Sequence, residues 1–277
     1  MSGQISDPLF SGPLFCLFLA ISIGLVLLAR RFRLFSLPRM TAQGASMSII
    51  SPLIAFLLYV GAQIFLPLYL DPLLKKMHLS ISNYERRVLA QLISLVCAAM
   101  CLLILSRFRG IWGNKNGLRI FGKGVLYAAG CYPVIMTLVQ LVHIIVDQFG
   151  TFPRNDQLAL VMLKNLNATP WLFWAFVGAA VTIVPLAEEL LFRGFFQNYM
   201  VGLIGQRKGI VITSLLFALF HYSGTQAVAN IELLVGLFVL SCMIGVLYIK
   251  EQSLLLPLGL HSAFNGFSLA LVLTMPS

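Results

Sequence analysis

The sequence predicts an all-helical (all-α) membrane protein, a polytopic membrane helix bundle of about eight transmembrane helices. Of the 277 residues, 59% are hydrophobic and only 10% are charged, and the mean hydropathy is +0.93. A soluble domain needs many more charged residues to cover its surface. The apolar residues also form runs close to the length of roughly 20 residues that crosses a bilayer as a helix. Both observations favour a chain that is embedded in lipid.

Eight apolar runs are candidate spans, at residues 12–29, 49–70, 88–106, 124–146, 170–190, 209–222, 229–249 and 254–275. The first run is expected to remain as an anchor rather than to be cleaved as a signal peptide. The reason is that residues 1–10 carry no basic residue, whereas the arginines of residues 30–33 follow the run. Residues 150–168 mix apolar and polar side chains, which predicts a short interfacial helix before Pro170 begins the next span.

Basic residues are distributed unevenly between the two sides of the predicted bundle. The richer side collects Arg30, Arg31, Arg33, Arg39, Arg107, Arg109, Lys115, Arg119, Lys123, Arg193, Arg207, Lys208 and Lys250. The poorer side collects Lys75, Lys76, Arg86, Arg87, Arg154 and Lys164. Lys and Arg are enriched in cytoplasmic loops, so the richer side is predicted to face the cytoplasm, with both termini outside. The net charge of +10 then reflects orientation in a plasma or inner membrane, and nucleic-acid binding is not expected.

No internal repeat and no long linker divides the chain, so we treat it as one helical membrane domain. Within it, residues 1–150 are predicted to form N-terminal transmembrane helices without an assigned motif, and residues 151–277 form a second part that contains most of the ionisable residues near apolar runs. The cysteines lie in apolar runs without CxxC spacing and are interpreted as buried small hydrophobic residues: Cys16, Cys97, Cys101, Cys131 and Cys242.

Several ionisable side chains lie in or beside the apolar runs, namely Glu188, Glu189, His221, Glu232 and His261. Ionisable groups in a membrane are costly to bury, so each one needs a structural or functional explanation. Glu189 and Arg193 are four residues apart, which suits a carboxylate–guanidinium pair along one helix. That pairing leaves Glu188 as the carboxylate without a local partner. The spacing therefore predicts a supporting role for Glu189 with Arg193 and a chemical role for Glu188.

The same spacing of four residues recurs on two later helices, where it places Phe217 below His221 and puts His261 on one face with Asn265. Together with Glu188, these residues contain the groups that activate water. A carboxylate can take a proton from water and pass it to a leaving amine, while a histidine positions that water. His261 and Asn265 can donate hydrogen bonds to the oxyanion that forms when a peptide carbonyl is attacked. The predicted chemistry is peptide hydrolysis inside the membrane.

Three motifs, Glu188-Glu189-x-x-x-Arg193, Phe217-x-x-x-His221 and His261-x-x-x-Asn265, follow in this order on separate late helices. This pattern resembles the CAAX protease and bacteriocin-processing (CPBP or Abi) family, in particular its CAAX prenyl endopeptidase type. The resemblance covers about residues 170–270. It implies an intramembrane glutamic protease of eight or so helices that acts on membrane-associated polypeptides.

The resemblance also implies roles for individual residues. Glu188 would be the general base, His221 its partner, and His261 with Asn265 the oxyanion site, with no cofactor. Between the second and third motifs, Phe238, Gly245 and Tyr248 are similar to the family's weaker glycine and aromatic pattern, which we interpret as helix packing.

A zinc-dependent membrane protease is the main chemical alternative. Glu188, His221 and His261 could supply three ligands of a catalytic zinc ion, with water as the fourth. No HExxH motif occurs in the sequence, and the family resemblance implies a metal-independent mechanism.

Two further alternatives involve no protease activity. The fold could serve as a non-catalytic membrane scaffold or a bacteriocin-immunity-type protein that works by binding. A transporter could use Glu188 and the histidines as a proton relay. Three other polar residues are assigned no chemistry: Glu232 is expected at the outer interface, and His78 and His143 are expected to be structural or solvated.

Overall fold

The computed structural model describes residues 12–38, 47–107, 111–113, 116–150, 152, 155, 158–166 and 169–274. Within these ranges every regular element is a helix. The α-helices are α1 Gly12–Arg31, α2 Ile50–Lys76, α3 Asn83–Ser106, α4 Gly117–Asp147, α5 Leu158–Lys164, α6 Pro170–Val181, α7 Ile183–Glu189, α8 Asn198–Ile204, α9 Gln206–Leu219, α10 Ala229–Glu251 and α11 Leu255–Thr274. A π-helix, Leu190–Gln197, joins α7 to α8.

Six helical segments in the described part of the chain are long and apolar enough to cross a membrane. They are Ile50–Lys76, Asn83–Ser106, Gly117–Asp147, Pro170–Ile204, Ala229–Glu251 and Leu255–Thr274. The protein is therefore an integral, polytopic, all-helical membrane protein, as predicted. The count of about eight spans stays a prediction, because α9 has 14 residues, or about 21 Å, which is shorter than the hydrocarbon core.

The span predicted at residues 170–190 is longer than expected, since the helical segment continues to Ile204. Glu188, Glu189 and Arg193 near its middle do not end it, because all three side chains are buried inside the protein and Glu189 pairs with Arg193. A short helix is present within residues 150–168 as the seven-residue α5, and its interfacial position stays a prediction. Among the residues used to predict orientation, Arg39, Arg109, Lys115 and Arg154 lie outside the described ranges.

The interpretation of all five cysteines as buried is wrong for three of them. Cys131 is buried and Cys242 is half-buried, but Cys16, Cys97 and Cys101 are exposed on the surface of their helices. In a membrane protein an apolar side chain is as favourable against lipid as in the core, so an apolar run does not show which helix face is internal.

The start of α3 is linked to the start of α6. Ser82 caps α3: its Oγ accepts from the Glu85 backbone amide at 3.2 Å, and Glu85 Oε2 accepts from the Ser82 amide at 2.8 Å. This reciprocal capping box satisfies two amides at the helix terminus. The Thr169 hydroxyl donates to the other oxygen of Glu85, directly before Pro170 begins α6. One carboxylate thereby connects the N-terminal helices to the span that carries Glu188.

Helices α4 and α11 cross with their backbones in direct contact at two glycines. A Cβ atom added to Gly124 would lie 2.3 Å from the Leu256 carbonyl oxygen, and one added to Gly259 would lie 2.2 Å from the Phe121 carbonyl oxygen. Only glycine fits at such a crossing, where small residues let helices approach closely. Gly259 is two residues before His261, so this contact fixes the part of α11 that enters the site.

Candidate active site

The two glutamates lie at the point where the helix widens. Glu188 and Glu189 end α7, and the π-helix begins at Leu190. Short π-helical segments inside longer helices often occur at functional sites. Both carboxylates are buried, and Arg193 within the π-helix is fully buried.

Arg193 pairs with Glu189 as the spacing predicted. Its Nη1 lies 3.0 Å from Glu189 Oε1. Its Nη2 donates to Ser241 Oγ at 2.9 Å and to the Ser241 carbonyl oxygen at 3.3 Å, which ties the π-helix to α10. The guanidinium carbon also lies 4.8 Å from the centre of the Phe217 ring. A buried ion pair is stable only when further contacts replace the lost hydration, and Ser241 and Phe217 supply these contacts.

Glu189 has a second partner that the sequence analysis missed. His261 Nδ1 lies 2.8 Å from Glu189 Oε1, the oxygen that also contacts Arg193. Because this oxygen already accepts from a guanidinium, we assign His261 Nδ1 as the donor in the second contact. Glu189 therefore orients an imidazole as well as neutralising Arg193.

Glu188 lies between the two imidazoles. His221 Nε2 is 3.6 Å from Glu188 Oε1, and His261 Nε2 is 3.7 Å from Glu188 Oε2. His221 Nδ1 lies 2.8 Å from the Phe217 carbonyl oxygen, which can only accept, so this nitrogen is also the donor. Both rings are thus held at Nδ1 and present Nε2 to the same buried carboxylate.

The distances between Glu188 and the imidazoles are too long for direct hydrogen bonds. Polar groups separated by slightly more than 3.5 Å are commonly bridged by a water molecule. Glu188 Oε2 is buried and has no hydrogen-bond partner among the described residues, so it remains available as an acceptor.

Phe217 forms the wall between the two histidines. Its fully buried ring lies 4.8 Å from the His221 ring and 5.9 Å from the His261 ring, measured between centroids. It also stacks edge-to-face on Phe192 at 5.1 Å. Its apolar ring packs against both imidazoles, and the supporting role expected for Phe217 stays a prediction.

Asn265 is on the predicted helix face, but its side chain bonds the backbone of another helix rather than the glutamate–histidine cluster. Its Nδ2 donates to the Ala180 carbonyl oxygen at 2.9 Å, near the break between α6 and α7 at Thr182. The carboxamide therefore stabilises a helix interruption. Its assignment to the oxyanion site stays a prediction.

The packing predicted for α10 is observed at two of its three residues. A Cβ atom added to Gly245 would lie 2.7 Å from Gln197 Oε1, and Gln197 Nε2 donates to the Gly245 carbonyl oxygen at 2.9 Å. The Tyr248 hydroxyl accepts from Asn198 Nδ2 at 2.8 Å. Phe238 is half-buried. These contacts hold α10 against the π-helix and α8.

Two of the polar residues that are assigned no chemistry, His143 and Glu232, contact each other. His143 Nδ1 is 3.1 Å from Glu232 Oε1, and this contact connects the end of α4 to the start of α10. Within α4, His143 Nε2 is 3.3 Å from Asp147 Oδ2. His78 is exposed. In the parts of the chain that the structure describes, no group of three or more His, Cys, Asp or Glu side chains has an arrangement that could hold a metal ion.

The fold and the site together define a polytopic membrane protein with a buried glutamate–histidine cluster. Within that class, residues 170–267 match the sequence model of the Rce1-like family, described as type II CAAX prenyl endopeptidase Rce1-like. This match lies within the segment that resembles the CAAX protease family, and it confirms the predicted resemblance for these residues. No curated protein and no solved structure matches the chain.

Proposed function

We propose that this protein is an intramembrane endopeptidase that hydrolyses peptide bonds of membrane-associated polypeptides with water activated by Glu188. The observation that carries this proposal is the convergence of two imidazole Nε2 atoms on one buried carboxylate, at 3.6 and 3.7 Å. The family match supports a membrane protease of the CAAX type in general. The glutamate–histidine mechanism, which the sequence resemblance implies, is part of the proposal.

In the proposed mechanism, Glu188 removes a proton from water while the water oxygen attacks the peptide carbonyl carbon. Glu188 then delivers the same proton to the nitrogen of the leaving amine, so the carboxylate is regenerated after the C–N bond breaks. His221, fixed through the Phe217 carbonyl, positions the water with its Nε2. Each of these groups is held before substrate binds, which reduces the reorganisation needed in the transition state.

His261 has a different task, because its Nδ1 faces a carboxylate rather than a carbonyl. For Nε2 to donate a hydrogen bond to the oxyanion, the ring must carry protons on both nitrogens. Glu189, 2.8 Å from Nδ1, stabilises that cation. Asn265 is proposed as the second oxyanion donor through the amide hydrogen that does not bond Ala180.

The substrate is proposed to be a polypeptide at the cytoplasmic half of a plasma or inner membrane. The excess of Lys and Arg on one side of the predicted bundle supports this orientation.

Residues 151–277 form the proposed catalytic part, and residues 1–150 support it through α2 and α3. One such contact is that of Phe56 on α2 with Phe196 in the π-helix, whose ring centroids are 6.2 Å apart.

The test is peptide cleavage by the purified protein in proteoliposomes, measured by mass spectrometry on prenylated and unprenylated forms of one CAAX peptide and on a transmembrane peptide. Glu188→Gln removes the general base and is expected to abolish cleavage while leaving the melting temperature nearly unchanged. Glu251→Gln is the matched control, since Glu251 pairs with Lys123 at the protein surface, 2.7 Å away.

Other outcomes point to other functions. Full biological activity of Glu188→Gln would indicate a scaffold or immunity-type protein. Proton-coupled uptake without cleavage would indicate a transporter. Comparing membrane peptides between cells that carry the wild-type protein and cells that carry Glu188→Gln would identify the physiological substrate.

A further inference from the structure

His221 lies just beyond the regular part of its helix. The last residue of α9 is Leu219, and the amide of His221 donates to the Ala218 carbonyl oxygen at 2.9 Å in a tight final turn. Its side chain is 27% exposed, against 4% for that of His261. The position of this imidazole therefore depends on the path of the loop at residues 220–228, which leads to α10.

That loop is held from α10 by the side chain of Asn230, which is buried in the first turn of the helix. Asn230 Oδ1 accepts from the Ser223 amide at 3.0 Å, and its Nδ2 donates to the Ser223 carbonyl oxygen at 2.7 Å. The same Nδ2 donates to the Ala227 carbonyl oxygen at 3.1 Å. One carboxamide thus satisfies both backbone polar groups of Ser223 and closes the loop on itself.

Ser223 is only two residues after His221, so a restraint on its backbone limits how far the histidine can move. The carboxamide makes hydrogen bonds with both its oxygen and its nitrogen, and at 5% exposure water can replace these bonds only poorly. By contrast, the hydrogen bond of His221 Nδ1 to the Phe217 carbonyl oxygen fixes the rotation of the imidazole but does not restrain the backbone that follows His221.

We propose that Asn230 is a positioning residue that holds the His221 backbone, and through it His221 Nε2, at its place beside Glu188. This inference rests on the proposed function, in which His221 positions the hydrolytic water. A displacement of about 1 Å in such a group can reduce turnover by roughly a hundredfold.

The first experiment measures cleavage kinetics of Asn230→Ala and Asn230→Asp in proteoliposomes. Asn230→Ala is expected to lower kcat by roughly tenfold to a hundredfold while KM changes little, because substrate contacts remain. Asn230→Asp keeps the acceptor for the Ser223 amide but places an oxygen against the carbonyl oxygens of Ser223 and Ala227, so a loss of kcat at least as large is expected. Asn165→Ala is the control, since Asn165 is exposed and its Nδ2 bonds a carbonyl of its own helix segment.

The second experiment does not require protease activity. Diethyl pyrocarbonate modifies imidazoles, and its reaction rate at each histidine can be followed by peptide mass spectrometry. In Asn230→Ala, His221 is expected to react several-fold faster relative to the exposed His78, while the rate at His261 stays unchanged. Equal His221 rates in wild type and in both variants would overturn the proposal, and so would a loss of kcat without a change in His221 labelling.

The two readouts separate this inference from the proposed function. If no form of the protein cleaves peptides, the labelling alone decides whether Asn230 restrains His221. If Asn230→Ala does not fold, the His221 labelling rate and kcat of Asn230→Asp are compared with those of the wild type instead. Faster labelling with a lower kcat supports the proposal, and an unchanged labelling rate overturns it.

Discussion

His261 Nδ1 and Arg193 Nη1 contact the same oxygen of Glu189, at 2.8 and 3.0 Å. This carboxylate therefore joins a structural ion pair to one of the two imidazoles that face Glu188. Glu188 and Glu189 are adjacent in sequence, yet their partners differ. Glu188 faces the Nε2 atoms of two imidazoles, whereas Glu189 contacts His261 Nδ1 and Arg193 Nη1.

Substitution of Glu189 by glutamine is expected to reduce both activity and stability, in contrast to Glu188→Gln. The neutral amide no longer fixes the proton on His261 Nδ1 or stabilises its cation, and replacing an orienting carboxylate of this kind by its amide can lower turnover by up to about 10⁴-fold. The measurements are kcat and the midpoint of thermal unfolding. An unchanged kcat in a folded Glu189→Gln protein would contradict the orienting role.

Arg193→Ala is expected to destabilise the fold, because it leaves the Glu189 carboxylate buried beside only His261. Breaking one side of a buried ion pair costs about 3–5 kcal/mol. Arg193→Lys is expected to recover only part of this loss, since lysine lacks the planar fork that reaches both Glu189 and Ser241. Denaturation in detergent measures these differences. Equal stability of the wild type and Arg193→Ala would show that the pair contributes little.

Gly259→Ala is expected to destabilise the packing of α4 on α11, because the added Cβ would lie 2.2 Å from the Phe121 carbonyl oxygen. Overpacking of this kind typically costs about 1–3 kcal/mol or more, and here it would also shift His261. Gly122→Ala on α4 is the control, since nothing lies within 4 Å of its added Cβ. The control is expected to be neutral or slightly stabilising, and thermal unfolding followed by cleavage assays would reveal the difference.

Cleavage is expected to continue after treatment with a strong metal chelator, in agreement with a glutamate-activated water. The measurement is kcat before and after dialysis, together with the metal content of the purified protein. Loss of activity on chelation, with restoration by zinc, would instead support the alternative in which Glu188, His221 and His261 bind zinc.

The helical membrane class and the local pairs of the site could be predicted from sequence because they depend on composition and on short spacings. The Glu189–Arg193 pair and the contact of the Phe217 ring with the His221 ring both join residues four apart, which one helix brings together whatever surrounds it.

Only the tertiary structure decided which partners meet across helices. The contacts of His261 with Glu189, Arg193 with Ser241 and Asn265 with Ala180 join residues 72, 48 and 85 positions apart. Helix spacing fixes the direction of a side chain but not the helix that faces it. That choice follows from the packing of whole helices, set by close contacts such as those at Gly124 and Gly259.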